Sequence, residues 1–363
     1  MRHAPLPDSN LDWAALAAPL ARAEDAIARL DERLNKSPLR DGFLARSHFI
    51  DAANALRLEG GFVVMEDLVL RDAGMDARAP SHELTRAHDI LRARRRILGK
   101  PPGWALSEEG LETLRSEAGE SDAAGEAAPP PADPEPEPKP AAEQDEFAHL
   151  FADVDAALAR ASRLLAGERL APSRDPLVYD PAIDEQARLE EWRLIVEETS
   201  QAPPTLACAR ALEAWERLSP LEHRRWLGPV LAGALLWSRG KTFALPALCE
   251  GLAAVPRERR RARSATERLI ANLAGLAAAG EAGLRHHDRW AGARAALLKK
   301  CEGRRESSML RQAVDAVIAR PLVSAAILAK EIDVTERAAL NLVADLGLRE
   351  TTGRKRYRAW AVI

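Results

Sequence analysis

The sequence predicts a mostly α-helical protein, and three observations support that fold class. Alanine, leucine, arginine and glutamate dominate the 363 residues, while aromatic residues make up only 4%, a composition that favours helix over sheet. Apolar residues recur at intervals of three and four along most of the chain, as on one face of a helix. The two-residue alternation typical of strands is confined to the stretch after Gly347. The length allows two or three domains of roughly 100–200 residues each.

Residues 11–100 are predicted to form an N-terminal helical domain. Its first helix carries Leu16, Leu20, Ile27 and Leu34 on one face. Ser81 is predicted to cap the last helix of this domain, because a serine hydroxyl accepts a hydrogen bond from a free N–H of the first turn. The helices predicted after the first are Gly42–Leu58, Glu66–Asp72 and Ser81–Leu98.

Composition changes abruptly after this domain. Residues 127–143 contain seven prolines mixed with aspartate and glutamate, and such a stretch neither forms a helix nor buries a core. We therefore predict a disordered linker rich in proline, glutamate and alanine over residues 101–144.

Residues 145–303 are predicted to form a central helical domain. Trp192 and Trp215 are its expected core anchors, and the helix at Trp226–Trp237 is apolar almost all round, which predicts a central position. The other helices predicted from residue 185 onward are Glu185–Glu198, Leu206–Leu218, Arg257–Leu276 and Leu284–Cys301.

Charge is distributed unevenly although the net charge is only −3. Residues 257–363 hold 22 lysines and arginines against 12 acidic residues, whereas residues 1–256 hold 30 against 43. A basic C-terminal part favours a polyanionic partner, since Lys and Arg gain by neutralising phosphates and releasing counterions. The alternative for any single basic run is a solvated helix face.

Several classes of function are not supported by the sequence. An apolar run long enough to span a bilayer and a secretory signal are both lacking, so a cytoplasmic location is expected. The three cysteines form no CxxC pair, which favours reduced, mostly buried thiols over a disulfide framework or a zinc site. Adjacent His286 and His287 are more typical of a solvated basic face than of a metal site, and His223 with Arg224 and Arg225 is interpreted as a surface cluster. We expect no cofactor, no metal and, without a complete catalytic motif, no enzymatic activity.

The last 60 residues, 304–363, contain the most specific pattern in the chain. Helical spacing at Met309–Ile318 stops at Arg320-Pro321, because proline lacks the next donor. Ser324 is then expected to cap a helix at Ala325–Glu331, and Thr335 a further helix that runs to Leu346 and ends at Gly347.

The turn between these two helices is predicted at Asp333-Val334, where Asp occupies a position that is often Gly and tolerates a left-handed conformation. Ala329 is expected at the close helix crossing, and Val334, Ala339 and Leu342 in the core. Alternation after Gly347 predicts a two-stranded wing. The arrangement predicts a winged helix-turn-helix domain.

This domain predicts sequence-specific binding of double-stranded DNA. Arginine pairs well with guanine and asparagine with adenine in the major groove, and basic wing residues suit phosphates or the minor groove. The candidate DNA-binding residues are Thr335, Arg337 and Asn341 on the third helix and Arg349, Thr352, Arg354, Lys355, Arg356 and Arg358 on the wing. A transcriptional regulator acting as a homo-oligomer is the expected function, with an unidentified effector or protein partner. Winged helices also mediate contacts between proteins, which remains the alternative.

Four segments together carry a resemblance to a known family. They are Ser219–Gly228, Ala254–Arg263, Gly283–Trp290 and the tail from Arg320-Pro321 through Thr352-Gly353-Arg354. The chain resembles a rhizobial, often plasmid-borne, family of helix-turn-helix proteins of unknown function. The resemblance implies a C-terminal DNA-binding domain behind a large segment without an assigned role.

A fainter likeness is to Fic-domain proteins, which transfer nucleotides and often carry a C-terminal winged helix. The run from Ala55 to Gly60 is similar to the regulatory helix that precedes many Fic cores, with Ala55 in place of the usual Ser/Thr. Of the catalytic signature only Pro220 survives, at Ser219–Trp226. The likeness implies a degenerate nucleotidyltransferase-like fold. A plasmid-maintenance interaction scaffold is a further alternative.

Overall fold

The computed structural model describes residues 11–75, 79–125, 184–302, 309–352 and 358–362, with the backbone alone for residues 117–125. The protein is mostly helical, as predicted. Its first helices are α1 (Trp13–Asn35), α2 (Arg40–Leu58), α3 (Met65–Asp72), α4 (His82–Leu98) and α5 (Glu108–Gly125). After the gap follow α6 (Glu185–Glu198), α7 (Pro204–Leu218), α8 (Leu227–Ser238), α9 (Cys249–Ala254), α10 (Arg257–Arg260) and α11 (Ala265–Lys299). The C-terminal elements are α12 (Met309–Ala319), β1 (Val323–Ser324), α13 (Ala325–Glu331), α14 (Glu336–Leu346), β2 (Arg349–Glu350) and β3 (Ala359–Ala361).

The long helix α11 organises the helical body. The sequence predicted two helices here, at Arg257–Leu276 and Leu284–Cys301, but the structure has the single turn α10 followed by one continuous helix of 35 residues. The glycines between the two predicted helices lie where α11 touches its neighbours: a Cβ on Gly280 would come 2.7 Å from the Ala26 carbonyl of α1. Close packing thus offsets the roughly 1 kcal/mol that each glycine costs inside a helix.

Helix α8 lies at the centre of the body, as its apolar sequence predicted. Its residues from Leu227 to Leu236 are buried apart from the half-buried Pro229. The expected anchors Trp192 and Trp215 are also buried, and their rings meet edge to face with centroids 5.2 Å apart. The Trp192 indole N–H donates to the Ala211 carbonyl at 2.9 Å, so this large side chain is buried without an orphaned donor.

A buried ion pair joins α2, α4 and α9. The carboxylate of Asp51 pairs with Arg94, and both side chains are almost completely excluded from solvent. Asp51 Oδ1 also accepts the Cys249 backbone N–H at 2.7 Å, and Arg94 donates to the Pro246 carbonyl at 3.2 Å. Such a pair needs these extra hydrogen bonds because desolvation of both charges is costly.

The predicted linker is corrected over its first part. Residues 101–125 include a 3₁₀ turn at Trp104–Leu106 and helix α5, which the Ser107 hydroxyl caps by accepting the Gly110 N–H at 3.1 Å. Leu111 and Leu114 bury their side chains, which the proline-rich composition farther along did not indicate. The rest of the predicted linker, 126–144, and residues 145–183 of the predicted central domain lie outside the described residues.

The predicted N-terminal and central domains do not have separate cores. Residues up to Leu114 and from Glu185 onward form one compact unit, in which α1 packs along α11 and α2 packs on α9. Residues 115–184 form the other unit, of which the structure describes the end of α5 and Asp184. None of the helices that the structure describes is both long and apolar enough to cross a bilayer.

The C-terminal elements form the predicted winged helix-turn-helix with one addition. Its sheet has three strands in the order β1-β3-β2, all antiparallel, rather than the two expected. Trp360 of β3 lies between Val323 and Glu350 in this register. The two residues of β1 were too few to show alternation in the sequence.

The small core of this domain differs slightly from the prediction. Ala329 and Ala339 are buried as expected, but Val334 and Leu342 are only partly buried. Val343 and Leu346 occupy the core beside Ala339, because the helix face is rotated by about one position from the predicted one.

Candidate nucleic-acid interface

The turn between α13 and α14 sets the angle of the helix-turn-helix. Asp333 adopts a left-handed backbone with φ of +53°, which confirms the interpretation of this position. The Val334 N–H then donates to the Ala329 carbonyl at 2.9 Å and closes the turn.

Both ends of α14 are held by specific contacts. The Thr335 hydroxyl accepts the Ala338 N–H at 3.2 Å and caps the first turn, while Gly347 ends the helix at φ of +56°. Lys300, just beyond α11, donates to the Leu346 carbonyl at 2.5 Å. The C-terminus of α14, the candidate recognition helix, is therefore anchored to the helical body. The capped N-terminus of α14 is exposed to solvent, and the N–H groups at a helix N-terminus favour a phosphate.

The outer face of α14 presents Arg337, Leu340 and Asn341 to solvent. Neither Arg337 nor Asn341 makes a hydrogen bond or ion pair with another described residue, so both are available to base edges. Leu340 was missed by the sequence analysis although it lies three residues after Arg337 and thus on the same face. It is 42% exposed, and an apolar side chain in this place can contact a thymine methyl group.

Two of the predicted wing residues have partners within the domain. Thr352 is buried and its hydroxyl accepts the Ala359 N–H at 2.7 Å, so it closes the hairpin. Arg358 is exposed but forms an ion pair with Glu350, with N–O distances of 3.0 and 2.6 Å. Hydrogen bonding between the two raises the pKa of Arg358 and lowers that of Glu350. Arg349 is exposed.

The three central wing residues, Arg354, Lys355 and Arg356, lie outside the described residues. Their assignment to phosphate contact stays a prediction.

The described basic residues of the C-terminal part are distributed toward both ends of α11. Residues 309–363 hold 9 basic and 6 acidic residues, whereas residues 257–308 hold 13 and 6. The exposed Arg257, Arg259 and Arg263 precede the N-terminus of α11, and the winged domain follows its C-terminus. A 35-residue helix is about 52 Å long, so these charges are far from the candidate recognition helix.

A known protein is similar to this chain over nearly its whole length, and two family models match parts of it. The chain is 42% identical over 376 aligned residues to the "Uncharacterized protein y4cF" of Sinorhizobium fredii, an alignment that covers 98% of this chain and 99% of the relative. The chain belongs to this rhizobial protein family. Residues 310–363 match a family model described as "HTH DNA binding domain", and residues 177–302 match one described as "Protein of unknown function (DUF1612)". The predicted rhizobial resemblance is confirmed, and so is the C-terminal helix-turn-helix domain.

The winged domain of this family member is attached to its helical body by Arg46 of α2. The guanidinium donates to the backbone carbonyls of Ile318 at 3.4 Å, Pro321 at 3.2 Å and Val362 at 3.4 Å. It also lies 4.8 Å from the ring centroid of Trp290 in α11. Burial and the nearby Arg289 lower the pKa of Arg46 to about 10, so it stays charged at neutral pH.

A second, weaker contact involves Asp72 at the end of α3. Its carboxylate lies 3.8 Å from Arg320, at the start of the segment that leads into β1, and it also bonds Arg95. Burial alone would raise the pKa of Asp72, but His88 and Arg95 bring it down to about 2.

The interpretation as solvated surface is corrected for His286, His287 and Arg224. His286 Nε2 lies 2.8 Å from Glu250 Oε2, and the largely buried His287 has Nε2 at 2.8 Å from the Ser37 hydroxyl. Arg224 is buried and donates to the Leu114 carbonyl at 3.2 Å, whereas His223 is exposed. His286 packs against α9 and His287 packs near the end of α1. The pattern of one helix alone predicted that both side chains would be exposed.

The residues of the Fic-like prediction serve packing contacts. Glu59, at the end of α2, accepts the Trp226 backbone N–H at 2.6 Å and pairs with Arg86. The carboxylate thereby occupies the position in front of α8 where an anion would otherwise approach the helix N-terminus. The Fic likeness itself stays a prediction.

Proposed function

We propose that the protein is a sequence-specific transcriptional regulator that binds duplex DNA through α14. The observation that carries the proposal is the outer face of this helix, where Arg337, Leu340 and Asn341 are exposed and the two polar side chains have no partner among the described residues. The match of residues 310–363 to a DNA-binding family supports it. We further propose a homodimer that binds two related half-sites, since winged-helix regulators commonly pair protein symmetry with operator symmetry.

Electrophoretic shift assays with fragments of the host genome test the proposal. Binding is expected to favour particular fragments and to weaken as salt rises, because phosphate contacts release counterions. Arg337→Ala should remove the preference, whereas Arg22→Ala, a matched loss of an exposed arginine on α1, should leave it unchanged. Equal affinity for all fragments, or no binding, would contradict a specific regulator.

Two alternatives belong to different classes of function. The first is an interaction scaffold of a plasmid-maintenance system, and the second is a degenerate nucleotidyltransferase-like fold. A scaffold predicts a stable protein partner recovered from the host after nuclease treatment. A cryptic transferase predicts label on protein after incubation with radiolabelled nucleoside triphosphates. The position of Glu59 in front of α8 argues against the second, because a triphosphate would have to displace that carboxylate.

A further inference from the structure

A cavity opens between α1, α2 and α11, away from the proposed DNA-binding face. It encloses about 620 Å³ of space, including its mouth toward solvent. Most of its wall is apolar, and the segment 242–247 closes one side. A mainly apolar wall with a few polar groups is typical of small-molecule sites.

The polar groups of the wall have unused hydrogen-bonding capacity. Asp31 of α1 accepts the Phe243 N–H through Oδ1 at 2.8 Å, while its second oxygen has no hydrogen bond within the described residues. The Thr242 hydroxyl is buried without any partner there. Buried polar groups normally find partners, so the Thr242 hydroxyl indicates a missing occupant, and the half-buried Asp31 has a free oxygen available to it.

The charges around the cavity favour a cation over an anion. Its described lining contains the carboxylates of Asp31 and Glu250 and neither lysine nor arginine. Glu250 is already bonded to His286, and the neighbouring Lys241 is paired with Glu24 of α1. Of the two carboxylates in the lining, that of Asp31 is therefore the more available to pair with a cation. Burial raises its pKa, an effect that a bound cation would reverse.

We propose that this cavity binds a small organic amine, whose ammonium group pairs with Asp31 and whose apolar body packs against Leu30 and Phe43. Resting on the proposed function, the amine acts as the effector of DNA binding. Trp290 of the cavity wall links the two sites: the His286 ring stacks on it with centroids 5.2 Å apart, and the Arg46 guanidinium lies 4.8 Å from its centroid. Arg46 in turn holds three backbone carbonyls of the C-terminal domain, so an occupant that shifts Trp290 shifts this contact.

Isothermal titration of the full chain with phenethylamine tests the site without DNA. We expect saturable one-to-one binding that weakens at least tenfold in Asp31→Asn and is unchanged in Asp25→Asn, an exposed residue of the same helix. Phenylacetate, with the same ring and the opposite charge, should not bind. Ala247→Phe, which fills the cavity from the segment 242–247 and leaves its charges in place, should also abolish binding. Melting curves of Asp31→Asn and Ala247→Phe verify that these two variants fold. Absence of phenethylamine binding, equal binding of phenylacetate or full affinity in Asp31→Asn would overturn the site.

Fluorescence anisotropy with a preferred DNA fragment tests the effector role. Phenethylamine is expected to change the Kd for DNA at least threefold in the natural protein and not in Asp31→Asn. Amine binding with an unchanged Kd for DNA would overturn the effector role alone. Failure of DNA binding under all conditions would overturn the proposed function, while titration would still decide whether the cavity binds the amine.

Discussion

Individual charged and polar residues have different roles according to their burial. Asp51 and Arg94 are enclosed in the body, whereas Arg337 and Asn341 project into solvent. A buried charge depends on its partner for stability, but an exposed one contributes little to folding and is available for a ligand.

Removing one member of the buried pair should destabilise the protein strongly. Arg94→Met leaves the Asp51 carboxylate without its cation, which typically costs about 3–5 kcal/mol. Burial already raises the pKa of Asp51 while Arg94 opposes that rise, so the variant should raise it further. A raised carboxyl pKa contributes stability at low pH that is lost as pH increases through it. Urea unfolding should therefore show a larger deficit at pH 8 than at pH 5.5.

The matched control is the double variant Asp51→Leu with Arg94→Met, which removes both charges. It should recover part of the loss and show no such dependence on pH. Equal unfolding midpoints for the single variant and the natural protein would show that the pair is not a stabilising contact.

Residues of α14 and of the wing should affect DNA binding differently. Arg337→Ala or Asn341→Ala should cost about 1–3 kcal/mol on a preferred site and little on random DNA. Arg349→Ala should weaken all DNA alike and lower the salt slope by about one. Arg358→Ala should have a smaller effect, because Glu350 already neutralises this arginine. Anisotropy titrations at several salt concentrations measure these quantities.

The control for the wing is Glu350→Gln, which frees Arg358 and should strengthen binding to random DNA. If the wing variants lose sequence preference while the α14 variants bind normally, recognition belongs to the wing and not to α14.

At the scale of elements, the contact between α1 and α11 depends on glycine. The positions that face α1 have no room for a side chain, and Gly292 farther along the same helix has nothing within 4 Å. Glycine thus allows close packing in the middle of α11, whereas at Gly292 it only lowers the stability of the helix.

Gly280→Ala should destabilise the protein, because the new Cβ would meet backbone atoms of Ala26 that cannot move alone. Overpacking of this kind costs about 1–3 kcal/mol. Gly292→Ala, the matched control, should stabilise by roughly 0.5–1 kcal/mol through helix propensity. Thermal unfolding measures both, and a stabilising Gly280→Ala would contradict the close contact.

For the whole molecule, Arg46 makes the most hydrogen bonds of any described side chain in the body to the C-terminal domain, beside the contacts of Lys300 and Asp72. This side chain is buried, has no carboxylate partner among the described residues, and bonds three carbonyls of the C-terminal segment. The C-terminal domain is therefore packed against the helical body.

Arg46→Met should keep the apolar stem but leave those carbonyls without a donor. Each buried unsatisfied group costs roughly 1–3 kcal/mol, so we expect a loss of about 2 kcal/mol or more. Calorimetry should show a lower transition for the C-terminal domain. Arg40→Met, an exposed arginine on the same helix, is the control and should leave the transition unchanged. A single transition at the natural temperature would show that other contacts hold the domain.

Much of the fold and part of the site were predictable from local pattern. Caps, breaks and spacing located α6, α13 and α14 to within one residue, because these signals act over one or two helical turns. The same pattern identified Arg337 and Asn341. It missed Leu340, since an apolar residue on a helix is expected to be buried until the packing of its neighbours is known.

The sequence by itself determined the helical class, the ends of most helices, the C-terminal helix-turn-helix and its left-handed turn at Asp333. The tertiary structure decided that α11 is continuous through its glycines, that Thr352 closes the hairpin, and that Arg358 is neutralised by Glu350. It also decided that residues 11–114 and 185–302 share one core and that Arg46 joins that core to the C-terminal domain. The physical reason is range: caps, turns and periodicity depend on neighbours in sequence, whereas burial, ion pairing and close helix contact depend on residues that only folding brings together.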